Sequence, residues 1–137
     1  MTNEERRNLL RHELFHSSAA LKTSPHCVSS IIKVDGTCVN GMVTTQQWSG
    51  KPEMRDLIRI SAAGLLCRSG LNVDDDLEFL SRFDIKDVAD ALAWAKAEVE
   101  PTITVTAAEL DEMLKAIDTD GGIEIFRDAI DAGNSIH

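Results

Sequence analysis

The sequence predicts a mostly helical α+β domain, and three observations support this. Residues 4–22 contain neither Pro nor Gly, as expected of a long helix. Two runs rich in β-branched residues flank Asp35-Gly36, which is typical of an antiparallel hairpin. From residue 52 onward, apolar residues recur at helical spacing between Gly and Pro interruptions. With 137 residues, the chain is long enough for one domain with a modest core.

The first helix is predicted over residues 4–22. Thr2 or Asn3 can cap its start, and Ser24-Pro25 ends it because the residue before a proline avoids helical geometry. The apolar side chains of this segment cover too wide a surface for a helix exposed to solvent: Leu9, Leu10, Leu14, Phe15, Ala19 and Ala20.

The hairpin is predicted over residues 28–45, and a polar loop with Trp48 is predicted at residues 46–51. The resulting small antiparallel sheet leaves at least one edge free for pairing with another chain.

Five further helices are predicted. The first covers about residues 52–68, starts at Pro52, and is so apolar in its second half that we expect it to be the central buried helix. Gly64 within it indicates close helix packing. The other four are expected at residues 74–81, 85–99, 106–117 and 123–132, with a linker at residues 102–105.

Composition narrows the class of function. The net charge of −9 argues against nucleic-acid binding, because a phosphate-contacting surface needs a basic stripe. No apolar run approaches the roughly 20 residues of a membrane span, and the polar N-terminus lacks a signal-peptide core. Cys27, Cys38 and Cys67 form no CxxC pair and are read as small buried side chains. We therefore expect a soluble, cytoplasmic protein of unknown oligomeric state.

The most specific pattern is His12-Glu13-Leu14-Phe15-His16, an H-E-x-x-H sequence in the middle of the first predicted helix. Positions four apart share one face of a helix, so both imidazoles can reach one metal ion. Glu13 lies on the neighbouring flank, where it can take a proton from a zinc-activated water without binding the metal. The pattern predicts a Zn²⁺ site with His12 and His16 as ligands and Glu13 as the catalytic base.

The third ligand must come from another part of the chain. His26 is expected to be exposed at a turn, and His137 is terminal. The carboxylate cluster Asp74-Asp75-Asp76 is the better source, although helix capping and the helix dipole can explain it equally well.

The order of these elements resembles the peptidase domain of the FtsH family of AAA-linked membrane proteases, in a stand-alone form. In that family an HEAGH helix is followed by strands, by a helix with the sequence LAGRAAE, and by a GASNDL segment whose Asp binds zinc. The similar segments here are 26–36 and 39–42 for the strands, Ser61-Ala62-Ala63-Gly64-Leu65-Leu66 for the helix, and Val73-Asp74-Asp75-Asp76-Leu77 for the last segment.

The resemblance implies roles for several residues. Asp76 precedes Leu77 as the zinc-binding Asp does in the family, so Asp76 is implied as the third ligand, with Asp75 as the alternative. Leu14-Phe15 replaces the small Ala-Gly pair of the family. No ATPase module is encoded in the 137 residues, so we expect no ATP-driven degradation of folded proteins by this chain alone.

The implied organisation is a zincin-like peptidase domain over residues 1–100, with residues 101–137 as a C-terminal helical extension packed on the same domain. The implied activity is zinc-dependent hydrolysis of peptide bonds in unfolded or extended substrates, held along an edge of the hairpin.

Two other interpretations stay open. The first is a catalytically inactive zincin-like module, regulatory or phage-encoded, that binds a protein through the acidic helical surface of residues 85–132. The second is a different zincin class in which Glu53 or Glu78 supplies the third ligand.

Overall fold

The computed structural model describes residues 2–35, 41–67 and 73–128. These residues form five α-helices, one 3₁₀ turn and a three-stranded antiparallel sheet, which confirms the predicted mostly helical α+β class. The elements are α1 (Asn3–Thr23), β1 (Cys27–Asp35), β2 (Gly41–Trp48), α2 (Met54–Gly64), α3 (Val73–Leu80), α4 (Ile85–Glu98), the 3₁₀ turn (Glu100–Thr102), α5 (Ala107–Asp120) and β3 (Gly122–Phe126).

Helix α1 is the centre of the fold. Thr2 caps it in a reciprocal capping box with Glu5, and Ser24 follows its last turn, as predicted. Twelve of its 21 residues are buried, because α2, α5 and the first two strands pack around it. The helix after Pro52, predicted to be the central buried helix, is partly buried against α1 and α4, but α1 packs against more of the other elements. Helix α2 contributes Ile60 and Ala63 to one apolar cluster and Ile58 and Ala62 to another.

The predicted hairpin is present. β1 pairs antiparallel with β2, from Cys27 opposite Trp48 to Asp35 opposite Gly41. β2 continues to Trp48, so the loop predicted to begin at residue 46 starts three residues later. Gly36, at the predicted turn, lies outside the described residues.

A last helix was expected to begin at about residue 123, and this prediction is wrong for residues 123–126. Residues 122–126 form β3, which pairs antiparallel with β1 from Ser29 opposite Phe126 to Lys33 opposite Gly122. Gly121 ends α5 with a φ of 86°, a left-handed conformation that favours glycine. In so short an apolar run, the alternating pattern of a strand cannot be distinguished from a turn of helix. Residues 127–128 of that predicted helix are helical, and residues 129–132 lie outside the described residues.

The strand order β2-β1-β3 places β1 in the middle of the sheet. Both edges of β1 are therefore covered. Among the described residues, the free edge of the predicted hairpin is the outer side of β2.

The remaining helices differ from the predictions mainly at their ends. Pro52 precedes α2 rather than starting it, since Glu53 is the N-cap, and α2 ends at Gly64 instead of residue 68. Helices α3, α4 and α5 lie within three residues of their predicted bounds, and the 3₁₀ turn reaches the start of the predicted linker.

The apolar core lies on both sides of α1. One cluster joins Phe15 and Leu21 to α2 and α4, and a second joins Leu10 and Leu14 to β1 and α5. The C-terminal part of the described chain, α5 and β3, therefore shares its core with the N-terminal helix. No helix in the described ranges combines the length and the apolar character needed to cross a membrane.

Candidate metal centre

Three side chains from two helices meet at one point. Nε2 of His16 lies 3.1 Å from Nε2 of His12 and 3.1 Å from Oδ2 of Asp76. Nε2 of His12 lies 3.2 Å from the same carboxylate oxygen. Ligand atoms around one tetrahedral zinc ion, each about 2.0–2.1 Å from it, are about 3.4 Å apart. The three atoms therefore have the spacing needed to hold one metal ion.

A backbone carbonyl orients His16. Nδ1 of His16 lies 2.7 Å from the carbonyl oxygen of Ile60 on α2. Because a carbonyl only accepts, Nδ1 carries a proton, and Nε2 is the ring nitrogen that can bind a metal ion once it has lost its own proton. This is the arrangement that fixes the tautomer of a metal-binding histidine. The buried Nδ1 of His12 has no such partner among the described residues.

The charges at the cluster reinforce one another. Burial lowers the pKa of His16, but the hydrogen bond and the charge of Asp76 outweigh it, so the pKa of His16 is raised. Burial also raises the pKa of Asp76, and here the hydrogen bonds from both imidazoles outweigh it, so the pKa of Asp76 is lowered. Asp76 is consequently held in its ionised form, which is the form that binds a cation.

Gly64 makes the close approach of α2 possible. A Cβ atom at this position would lie 2.4 Å from Cε1 of His16 and 2.7 Å from Oδ2 of Asp76. Any larger residue would push one of these two side chains away. The predicted role of Gly64 in close packing is confirmed, and its neighbours are the two side chains rather than another helix backbone.

Glu13 is buried beside the cluster. Only 5% of it is exposed, and Oγ1 of Thr44 on β2 donates a hydrogen bond to its Oε2. The carboxylate can still accept a proton at Oε1, which makes no hydrogen bond to the described residues. Thr44 thereby holds one side of the predicted catalytic base in place.

The cluster and Glu13 open onto one cleft with a volume of about 290 Å³. The strand side of the cleft is formed by Met42, Val43 and Thr44, and its α2 side by Ile60 and Ser61. A molecule in this cleft would lie against the edge strand, the cluster and the carboxylate together.

The other carboxylates considered as third ligands lie outside the cluster. Asp75 lines the cleft, but it is not one of the three converging groups. Glu53 is exposed at the start of α2, and Glu78 forms a surface ion pair with Arg82 at 2.7 Å.

The other histidines and the cysteines do not join the cluster either, as far as the described residues go. His26 is exposed next to Gly50. Cys27 and Cys67 are buried, and burial raises the pKa of the Cys27 thiol to about 11. Cys38 and His137 lie outside the described residues.

Two contributors to the site were missed from the sequence. Thr44 lies two residues from the buried Met42 on the same face of β2, so strand alternation could have pointed it inward. The role of the Ile60 carbonyl could not be predicted from the sequence, because every residue carries a backbone carbonyl.

No protein-family model matches the chain, and neither the curated proteins nor the solved structures contain a significant match to it. The resemblance to the FtsH peptidase domain stays a prediction that rests on the motif and on the order of elements.

Proposed function

We propose that this protein is a zinc-dependent, peptidase-like hydrolase that cleaves peptide bonds in extended polypeptides. The observation that carries the proposal is the convergence of His12, His16 and Asp76 within 3.2 Å, in the same cleft as Glu13. Two imidazoles, a carboxylate and a nearby second carboxylate are the groups that metal-assisted hydrolysis requires.

His12, His16 and Asp76 would hold the metal ion. Two imidazoles and one carboxylate suit zinc, and the same donor set also suits ferrous iron, so the identity of the metal has to be measured. Zinc in such a site lowers the pKa of a water molecule toward about 7 and polarises a carbonyl group.

Glu13 would serve as the general base. It takes a proton from the attacking water and passes that proton to the amine released from the substrate. Thr44 holds one carboxylate oxygen, so the other one faces this transfer in a defined orientation.

The substrate would lie along β2 as an additional antiparallel or parallel strand. β3 covers the other side of the hairpin, and β2 lines the cleft with Met42, Val43 and Thr44. Backbone hydrogen bonds at this edge would place an extended peptide next to Glu13, whatever the sequence of that peptide.

The proposal is tested by metal analysis and by hydrolysis of an unstructured fluorogenic peptide. Protein purified without chelator should carry one equivalent of zinc. Glu13→Gln should keep that zinc and lose activity about 10²–10⁴-fold, since a general base contributes on this scale. Glu4→Gln, on the exposed first turn of the same helix, is the matched control.

The outcomes separate the alternatives. Full activity of Glu13→Gln would remove its assigned role, and a folded chain without metal would remove the centre itself. Stoichiometric zinc without hydrolysis of any unstructured substrate would instead support the inactive zincin-like interaction module. Zinc content should fall in Asp76→Ala and stay unchanged in Asp75→Ala and Glu78→Ala.

Thr44 provides a finer test of the same site. Thr44→Val removes the hydrogen bond to Glu13 at nearly constant volume, and Thr44→Ser retains it. We expect Thr44→Val to lower kcat about 10–100-fold with unchanged zinc content, and Thr44→Ser to restore most of the rate.

A further inference from the structure

A second cavity lies between α2 and α4 and shares no lining residue with the metal cleft. Its volume is about 450 Å³, within the usual range for sites that bind small molecules. Nothing in the proposed hydrolysis uses it.

The two walls of this cavity carry opposite charges. Arg55 and Arg59 stand one turn apart on α2, and Asp87 and Asp90 line the cavity from α4. No ion pair joins either arginine to either aspartate in the described parts of the chain. The charges therefore face a common space from a distance instead of neutralising each other.

The arginines have little carboxylate contact of their own. The side chain of Arg55 is 64% exposed, and its one ion-pair contact among the described residues is with Glu53 at 3.9 Å. Arg59 has no carboxylate partner within the described ranges. Its guanidinium stacks 4.6 Å from the ring centre of Trp94 and donates a 3.3 Å hydrogen bond to Thr23.

Arg59 is a half-buried cation that a ligand anion would stabilise. Burial and the charge of Arg55 lower its pKa, against the opposing charge of Asp56. A stacked guanidinium presents its remaining N–H donors in a planar fork, and this fork matches a carboxylate.

The opposite wall offers acceptors. Asp90 already binds Lys86 at 2.8 Å, whereas the side chain of Asp87 forms no ion pair or hydrogen bond with the described residues. Between the two walls, Ile58 and Ala91 are buried and Phe83 is half-buried, so the surface between the charges is apolar.

We infer that this cavity binds a small zwitterion with an apolar side chain, namely a free α-amino acid or a short peptide. The ligand carboxylate binds Arg55 and Arg59, its ammonium binds Asp87, and its side chain packs against Ile58 and Phe83. The inference does not depend on the metal centre.

The test is a titration of the full chain followed by nuclear magnetic resonance, with L-leucine and L-leucyl-L-leucine as probes at up to about 10 mM. We expect saturable shifts of amide signals in residues 54–59 and 83–91 with at least one probe. The probe that binds more tightly shows whether the ligand is a free amino acid or a short peptide. N-acetyl-L-leucine and L-leucinamide, each lacking one charge, should bind at least about 10-fold more weakly.

Charge-neutral variants locate the two ends of the ligand. Arg55→Gln and Asp87→Asn are exposed changes, so folding should persist, and each should weaken binding about 10-fold. Lys51→Gln and Asp120→Asn make the same charge changes outside the cavity and should leave binding unaltered. The inference is overturned if neither probe gives saturable shifts, if the one-charge analogues bind equally well, or if the shifts map to another region.

Discussion

Helices α1 and α3 supply the same cluster from very different surroundings. α1 contributes His12 and His16 from the middle of a 21-residue helix with twelve buried residues. α3 contributes Asp76 from an eight-residue helix in which only Leu80 is buried, and it packs mainly on α2. Two side chains of the cluster therefore belong to a helix with twelve buried residues, and the third belongs to a helix with little core of its own.

The two helices therefore differ in how firmly they hold their side chains of the cluster. The histidine pair is pre-organised, because its helix cannot rotate without exposing the core on both sides. Asp76 can move at much lower cost. A metal ion bound by all three groups would therefore stabilise α3 far more than α1, since binding stabilises what it orders.

The largest expected effect comes from the core beneath α1. Leu10→Ala should lower the free energy of unfolding by about 2–5 kcal/mol, because it leaves a cavity at a fully buried position. Leu77→Ala removes a side chain of α3 that is 51% exposed and should change it by less than about 0.5 kcal/mol. Urea unfolding of the metal-free proteins measures both values. Equal losses would mean that α3 is anchored as firmly as α1.

The second-largest effect is expected at Gly64 of α2, which lies against His16 of α1 and Asp76 of α3. Gly64→Ala should cost about 1–3 kcal/mol and weaken zinc binding about 10–100-fold, because its Cβ would overlap His16 and Asp76. Gly122→Ala is the control. A Cβ at Gly122 would also be tight, 3.0 Å from the carbonyl oxygen of Ile32, but Gly122 lies away from the proposed metal centre. A zinc titration should show lower affinity for the first variant only; a similar loss in both would assign it to general instability.

Removal of the proposed metal ion should destabilise α3 and leave α1 almost unchanged. Hydrogen exchange of amides in residues 73–80 should accelerate at least about 10-fold after chelation, while the amides of residues 9–21 should change little. Asp76→Ala should show the fast exchange without chelator. If chelation accelerates both segments equally, the metal supports the whole fold and the proposed division between the helices is wrong.

The smallest change in stability is expected from the exposed ion pair between Arg6 of α1 and Asp118 of α5. Arg6 binds Asp118 of α5 at 2.7 Å, and this hydrogen bond lowers the pKa of Asp118. A lowered carboxyl pKa means that the pair contributes stability above the unfolded-state pKa and loses it as the pH falls through the folded-state pKa. Arg6→Gln should raise the pKa of Asp118 toward its ordinary value in a carboxyl NMR titration and barely change stability at neutral pH, since exposed pairs contribute little. An unchanged titration would show that the pair does not persist in solution.

Local chemistry was enough to predict α1 and the histidine pair. The capping Thr2, the absence of Pro and Gly, and Ser24-Pro25 define the helix through neighbours in the chain. Once the helix exists, the four-residue spacing of His12 and His16 brings them to one face. The hairpin followed in the same way from its β-branched runs and from the short connection between them.

Other features needed contacts between distant residues. Asp74, Asp75 and Asp76 point about 100° apart around α3, so only the placement of that helix against α1 brings Asp76 to the imidazoles. The strand β3 exists because β1 offers it a hydrogen-bonding edge, which residues 122–126 do not reveal by themselves. The hydrogen bond from Thr44 to Glu13 connects residues 31 positions apart in the sequence. The charged cavity is likewise lined by residues of two separate helices, α2 and α4. Short-range geometry thus determined the motif and its helix, whereas packing between separate segments determined the third side chain of the cluster, the strand β3 and the contact of Thr44 with Glu13.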